Sequence, residues 1–261
     1  MRLIVHVAIY LIVTTFAFAL PAQAQIAEAA VAIPRSFGDS SPVRWIGRSP
    51  ERYPVHGIDV ARFQSSINWR AAKRAGVKFA YAKATEGGDF FDPMFRDHWK
   101  GAHRAGIPRG AYHFYYFCRT AKEQARWFIR NVPRRRGALP PVLDMEWNPF
   151  SPTCTKRPPA KEVRRQARIF LTMVGKHYGQ KPIIYTTPEF YRQNDMGKLP
   201  GVEFWLRSTA KTPENIYPGQ HWTFWQYTGT GLVPGVTEEV DINVFAGTED
   251  GWNAWLEQHQ R

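Results

Sequence analysis

From Val55 to Phe245 the chain repeats one pattern, a short apolar run of strand length followed by a stretch with apolar residues at helical spacing. The runs Gly57–Arg62, Val77–Thr85, Pro108–Phe117, Pro140–Trp147, Lys181–Thr187, Val202–Ser208, Trp222–Thr228 and Val240–Phe245 read as strands. Ile67–Ala75, Pro93–Ala105, Thr120–Val132 and Ala160–Tyr178 read as helices, with Gly76, Gly106 and Gly179 as stops and Thr120 as an N-cap. A short helix follows Pro188 and a last one covers Asp250–Gln258. Strands that alternate with helices call for parallel neighbours joined by crossovers, and about eight strands suffice to close a barrel. Loops rather than helices join the last three strands. The reading is therefore an α/β chain folded as an irregular single-domain (β/α) barrel of about eight strands with a helix-poor C-terminal third. An open doubly wound sheet is the alternative. No Gly-rich phosphate loop sits at any strand-to-helix turn, which argues against a nucleotide site.

The 261 residues, 44% hydrophobic and 15% aromatic, supply one large core, assigned to residues 54–261. Before it, Met1-Arg2, the apolar run Leu3–Leu20 and the small-residue stretch Pro21-Ala22-Gln23-Ala24 have the layout of a secretory signal, residues 1–24, cleaved after Ala24. An uncleaved anchor is the competing reading, since the run approaches spanning length. Residues 25–53 lack periodicity and read as an N-terminal extension or linker. The expectation is an exported protein, periplasmic or secreted, with no stable membrane insertion after cleavage. Lysine and arginine number 35 against 22 acids, a net charge of +13, which favours encounter with polyanions. The bases are dispersed apart from Arg134-Arg135-Arg136, and an exported chain meets envelope polymers, so no nucleic acid partner is expected. Two cysteines exclude a zinc cluster or a disulfide scaffold but allow one bridge. Cys118 and Cys154 fall in neighbouring loops after strands three and four, and are expected to form it.

Pro140–Trp147 carries two acids, Asp144 and Glu146, at i and i+2. Side chains alternate along a strand, so the two share a face with α-carbons about 6 to 7 Å apart. Burial and mutual repulsion would keep a proton on the pair to higher pH, as an enzyme needs when one carboxyl donates a proton beside an anionic neighbour. Further acids fall inside or at the ends of strand-like runs: Asp59, Glu86 and Asp241. In a closed barrel Asp59 and Asp241 would be neighbours across the seam, at the strand ends where barrel chemistry sits. Aromatics gather there too. Faces that stack on C–H bonds, with acids to bond hydroxyls, suit a sugar, and Glu86, Tyr112, His113, Tyr185, Trp225 and Tyr227 are the candidates for binding it. Phe114 and Trp205 are assigned to packing.

With these residues in view, the chain from Val55 to Phe245 resembles the glycoside hydrolase family 25 muramidases, lysozymes with an irregular (β/α) barrel. The matching stretches are Gly57-Ile58-Asp59-Val60, the run from Gly76 to Gly87, Gly110-Ala111-Tyr112-His113-Phe114, Leu143-Asp144-Met145-Glu146, Ile183-Ile184-Tyr185-Thr186, Trp225-Gln226-Tyr227 and Val240-Asp241-Ile242-Asn243. The resemblance implies cleavage of the β-1,4 bond between N-acetylmuramic acid and N-acetylglucosamine, with Glu146 as proton donor, Asp144 as its partner, and Asp59 and Asp241 completing the cluster. It also implies retention of configuration through the substrate's 2-acetamido group, oriented by Asp144. No cofactor and no metal are expected. The expected partner is the peptidoglycan glycan strand, met by a monomer. Three stretches depart from the family pattern: Arg62-Phe63-Gln64 after the first motif, Phe204-Trp205-Leu206-Arg207-Ser208, and the loop Asn148 to Pro159. The rival readings are a wall-binding module without turnover and a glycosidase acting on another N-acetylated polysaccharide.

Overall fold

The computed structural model describes residues 33–259. In chain order its elements are β1 (Gly38–Asp39), β2 (His56–Val60), α1 (Trp69–Ala75), β3 (Phe79–Glu86), β4 (Phe90–Phe91), α2 (Phe95–Arg104), β5 (Arg109–Phe114), α3 (Ala121–Asn131) and β6 (Val142–Met145). They continue with α4 (Ala160–Tyr178), β7 (Ile183–Thr186), α5 (Pro188–Gln193), β8 (Phe204–Arg207), α6 (Pro213–Ile216), β9 (Phe224–Leu232), β10 (Val240–Phe245) and α7 (Glu249–His259). Strands β2, β3, β5, β6, β7, β8 and β9 pair in that order, each parallel to the next, and β10 closes the ring between β9 and β2. The residues read as a signal, 1–24, and the first part of the extension lie outside the described residues.

The parallel pattern stops at β10, which runs antiparallel to both neighbours. Only the segment from Val233 to Glu239 joins β9 to β10. A parallel crossover takes about a dozen residues or more, so the chain has to turn straight back. The reversal has a chemical consequence. It brings the first residues of β10 to the rim where the parallel strands end, and Asp241 stands in register with Asp59.

The two-residue period of the strands separates the core into two bodies. Inward residues Phe79, Tyr81, Val142, Ile183, Trp205, Phe224 and Phe245 fill the barrel with Leu139 and Trp252. Outward residues Ile58, Ala80, Ala111, Leu143, Ile184, Leu206 and Ile242 meet the helices. Two glycines make room for the large rings inside: a Cβ on Gly57 would lie 2.5 Å from the Phe79 ring, and one on Gly110 would overlap the Tyr81 ring. Tyr81 is fully buried, packed against the rings of Phe79, Trp205 and Phe224. Gly110→Ala is therefore expected to lower stability by about 1 to 3 kcal/mol, read as a fall in the midpoint of urea unfolding.

The capping box of α3, formed between Thr120 and Glu123, and the left-handed Gly179 that ends α4, follow the sequence signals. Residues 33–53 lie along the outside of the barrel. β1 pairs with β9, Trp45 packs edge-on against Trp225 at 5.2 Å, and Tyr53 is buried beside Trp222 and Trp225. Among the described residues no helix is long and apolar enough to cross a membrane.

Candidate active site

A groove of about 1130 Å³ opens at the rim where the parallel strands end, and Asp59, Asp144, Glu146 and Asp241 all line it. Period two puts them there. With Ile58 and Val60 facing out, Asp59 must face in; with Leu143 and Met145 out, Asp144 and Glu146 must face in; with Ile242 out, Asp241 faces in.

Asp59 is 7% exposed, and its Oδ2 accepts hydrogen bonds from Asn243 Nδ2 at 2.8 Å and Gln226 Nε2 at 3.1 Å. Both amides are held in that sense by aromatic donors. Trp205 Nε1 donates to Asn243 Oδ1 at 2.8 Å, and the Tyr185 hydroxyl donates to Gln226 Oε1 at 2.8 Å. Burial, then the charge of Asp241, push the Asp59 carboxyl well above its usual range. Burial also raises Asp241, to about 6, while the Arg207 guanidinium and a hydrogen bond with Asp59 hold it down. Asp59 is thus the partner that carries the shared proton and donates it to Asp241.

Asp144 is 6% exposed, and its Oδ1 accepts no hydrogen bond from the protein. Burial and the neighbouring Glu146 raise its carboxyl well above the usual range, partly offset by Lys83. Glu146 is raised to about 7, chiefly by burial; Arg207 opposes the rise, Asp241 adds to it and Lys83 again opposes. Lys83 Nζ lies 2.5 Å from Glu86 Oε2 and 4.6 Å from the centre of the Phe114 ring. Burial pushes Glu86 upward, but Lys83, a hydrogen bond with Tyr116 and the charge of Arg62 together leave this acid below its usual range. The groove therefore holds one paired carboxylate and a proton-rich set of four.

Of the residues read as sugar-binding candidates, Glu86, Tyr112 and Tyr185 line the groove, and His113, Trp225 and Tyr227 do not. Their positions on the strands explain this. His113 lies between inward Tyr112 and Phe114, so it faces out, where Phe170 stacks on it at 5.1 Å. Its Nε2 donates to Gln124 Oε1 at 3.0 Å and its Nδ1 accepts from Thr85 Oγ1 at 2.8 Å, a tautomer required because Gln124 Nε2 already donates to backbone carbonyls. Burial lowers its pKa to about 4. It is a core histidine. Trp225 and Tyr227 alternate with inward Gln226 and are buried on the outside, where Trp225 Nε1 donates to the Ser208 carbonyl and the Tyr227 hydroxyl meets His56 Nδ1. In the other direction, Phe114 and Trp205, assigned to packing, line the groove, although Trp205 is only 2% exposed. Sequence reasoning passed over Gln226, Asn243, Lys83 and Arg207. The alternation that places the acids would have found all four.

Cys118 and Cys154 form a disulfide, with α-carbons 5.7 Å apart, and both line the groove. The bond ties the loop after β6 to the loop after β5, and Asn148 Nδ2 adds a hydrogen bond to the Tyr116 hydroxyl. The bridge closes a span of 36 residues. Replacing both cysteines by serine is expected to cost about 3 to 4 kcal/mol on the chain-entropy argument, measured by denaturant unfolding without reductant.

Residues 58–236 match the family described as Glycosyl hydrolases family 25. Lysozyme M1 of Streptomyces globisporus is 36% identical over 202 residues, covering 74% of this chain and 68% of that protein. YegX of Escherichia coli strain K12, an uncharacterized protein, is 38% identical over 216 residues, covering 80% of this chain and 76% of that one. Among solved structures, a family 25 glycosyl hydrolase from Bacillus anthracis matches with a TM-score of 0.74 and 36% identity, over 82% of this chain and 97% of its own.

Proposed function

The chain belongs to glycosyl hydrolase family 25, and from that membership we propose that it is a muramidase, hydrolysing the β-1,4 bond between N-acetylmuramic acid and N-acetylglucosamine in peptidoglycan. The observation that carries the reading is Glu146, a carboxyl on the groove wall that keeps its proton to about pH 7 beside a second inward acid, Asp144. A general acid works best when its pKa lies near the working pH.

In this mechanism Glu146 gives its proton to the oxygen of the leaving sugar as that bond breaks. The oxygen of the substrate's own 2-acetamido group attacks the anomeric carbon and forms a cyclic oxazolinium ion. Asp144 accepts the acetamido N–H at Oδ1, which no protein donor occupies. For this role Asp144 must be ionised, so its proton passes to solvent through the open groove before the step, helped by the nearby Lys83 charge, and the positive charge that develops on the substrate then favours the carboxylate. Glu146, now a carboxylate, takes a proton from the water that opens the ring. Two displacements at one carbon leave its configuration retained. Asp59 and Asp241, sharing a proton, limit the negative charge in the groove and fix its floor through Asn243 and Gln226.

Digestion of purified peptidoglycan tests the activity. Mass spectrometry of the products should find muramic acid at the new reducing ends; N-acetylglucosamine there, or binding without cleavage, would reject the proposal. Because Glu146 must be protonated to act, kcat/KM is expected to fall about tenfold per pH unit on the alkaline side of pH 7, measured on soluble glycan fragments at constant ionic strength. We further propose that residues 1–24 direct export, since the substrate lies outside the cytoplasm. The N-terminus of the exported protein should then begin at Gln25.

A further inference from the structure

Five large apolar side chains are exposed among the described residues, and the two aromatic ones, Phe63 at 66% and Phe150 at 92%, both line the groove. Phe63 follows β2, and Phe150 sits in the loop tied down by Cys118–Cys154, so both rings are carried by anchored backbone. Beside Phe63 stands Arg62, with its guanidinium 5.2 Å from the Phe63 ring and 5.1 Å from the Phe90 ring, while its backbone N–H donates to Asp92 Oδ2. Held against two rings, the guanidinium gives up less freedom when it binds an anion.

The other groove cations are engaged. Lys83 pairs with Glu86, Arg119 pairs with Asp89 at 3.0 Å, and Arg207 faces Glu146 and Asp241. Arg62 has no carboxylate within ion-pair distance among the described residues, and its charge acts on Glu86, which Lys83 already pairs, only from beyond that distance. The sugars of a glycan strand are neutral at their rings and hydroxyls. Charge enters the substrate through the lactyl arm of the muramyl residue, which in an intact wall is extended by a peptide with free carboxylates and apolar side chains. A cation with two exposed phenyl rings matches that substituent better than it matches a bare sugar. Arg62-Phe63 and Phe150 also belong to two of the stretches that the sequence reading set apart from the family pattern.

We infer that Arg62, Phe63 and Phe150 form a subsite for the carboxylate-bearing peptide on the muramyl residue, which makes the enzyme selective for peptide-substituted strands. The inference rests on the muramidase reading. Its test compares soluble peptidoglycan fragments with the same fragments stripped of peptide by an amidase, with kcat and KM measured for the parent, Arg62→Gln and Phe150→Ser. The three residues are exposed, so the variants should keep the parent's melting temperature. The parent should favour peptide-bearing strands by about tenfold in kcat/KM, through KM, as one charge-assisted contact would give. In Arg62→Gln the ratio should fall to about one, with Phe150→Ser intermediate.

A parent without preference, or an unchanged ratio in both variants, overturns the subsite. Equal loss on both substrates in Arg62→Gln would mean that this residue meets the glycan or the lactyl carboxylate, and overturns it too. Failure of the muramidase reading looks different: the parent would release no muramic acid reducing ends from either substrate.

Discussion

Glu146→Gln should yield a folded protein that still binds peptidoglycan and hydrolyses it about 100- to 10,000-fold more slowly, the usual contribution of a general acid. The amide keeps the size of the carboxyl and has no proton to donate to the leaving oxygen. Pull-down on insoluble peptidoglycan and release of reducing ends separate the two properties; a variant within threefold of the parent would remove Glu146 from its role. The same substitution has a signature in stability. The folded-state pKa of Glu146, about 7, lies above the ordinary 4.5, so folding takes up a proton between these values. The stability that this group contributes is fully present below pH 4.5 and is lost as pH rises through 7. The glutamine variant suffers no such loss. It should therefore gain on the parent at pH 8, by about 2 kcal/mol once the wet side of the groove is allowed for, and show little difference at pH 4. If the difference between the two proteins did not grow from pH 4 to pH 8, the raised pKa of Glu146 would be wrong.

The barrel was legible because its strands are long enough to show apolar runs and its helices long enough to show a period and a stop. Thr120 and Gly179 mark their helix ends by chemistry that needs no tertiary context. The two-residue strands β1 and β4 and the four-residue α6 were invisible for the opposite reason, being too short to display any period. The antiparallel turn into β10 was hidden because the strands as read, Trp222–Thr228 and Val240–Phe245, leave eleven residues between them, close to crossover length, whereas β9 runs on to Leu232 and leaves seven. The acids were found by type, since a carboxyl inside an apolar run is costly and therefore conspicuous. Amides are not conspicuous in this way. Gln226 and Asn243 look like ordinary strand residues until Asp59 is placed between them. The aromatics misled for a related reason: Trp225 and His113 sit in stretches rich in site residues, but strand parity turns them away from the groove. Parity decides function here more sharply than residue type does.

Asp144→Asn should lower kcat by about 100- to 1,000-fold, the usual effect of removing one electrostatic partner of a developing charge, with a much smaller change in KM. Asparagine can still accept the acetamido N–H through Oδ1, so ground-state contact survives; the negative charge that favours the oxazolinium ion does not. The loss should thus fall on the transition state, which is what a drop in kcat without a rise in KM reports. Stereochemistry supplies the independent measurement. With the acetamido oxygen attacking from one face and water returning from the same direction as the departed sugar, the first-formed product is the β-anomer, and proton NMR in the first minutes of digestion should show it before mutarotation. An initial α-anomer would mean a single displacement by water and would remove both the oxazolinium ion and the role given to Asp144. A glycosyl ester trapped on Asp144 would preserve retention but make this residue the nucleophile. In that case a substrate lacking the acetamido carbonyl should still turn over, whereas the mechanism proposed here requires that it does not.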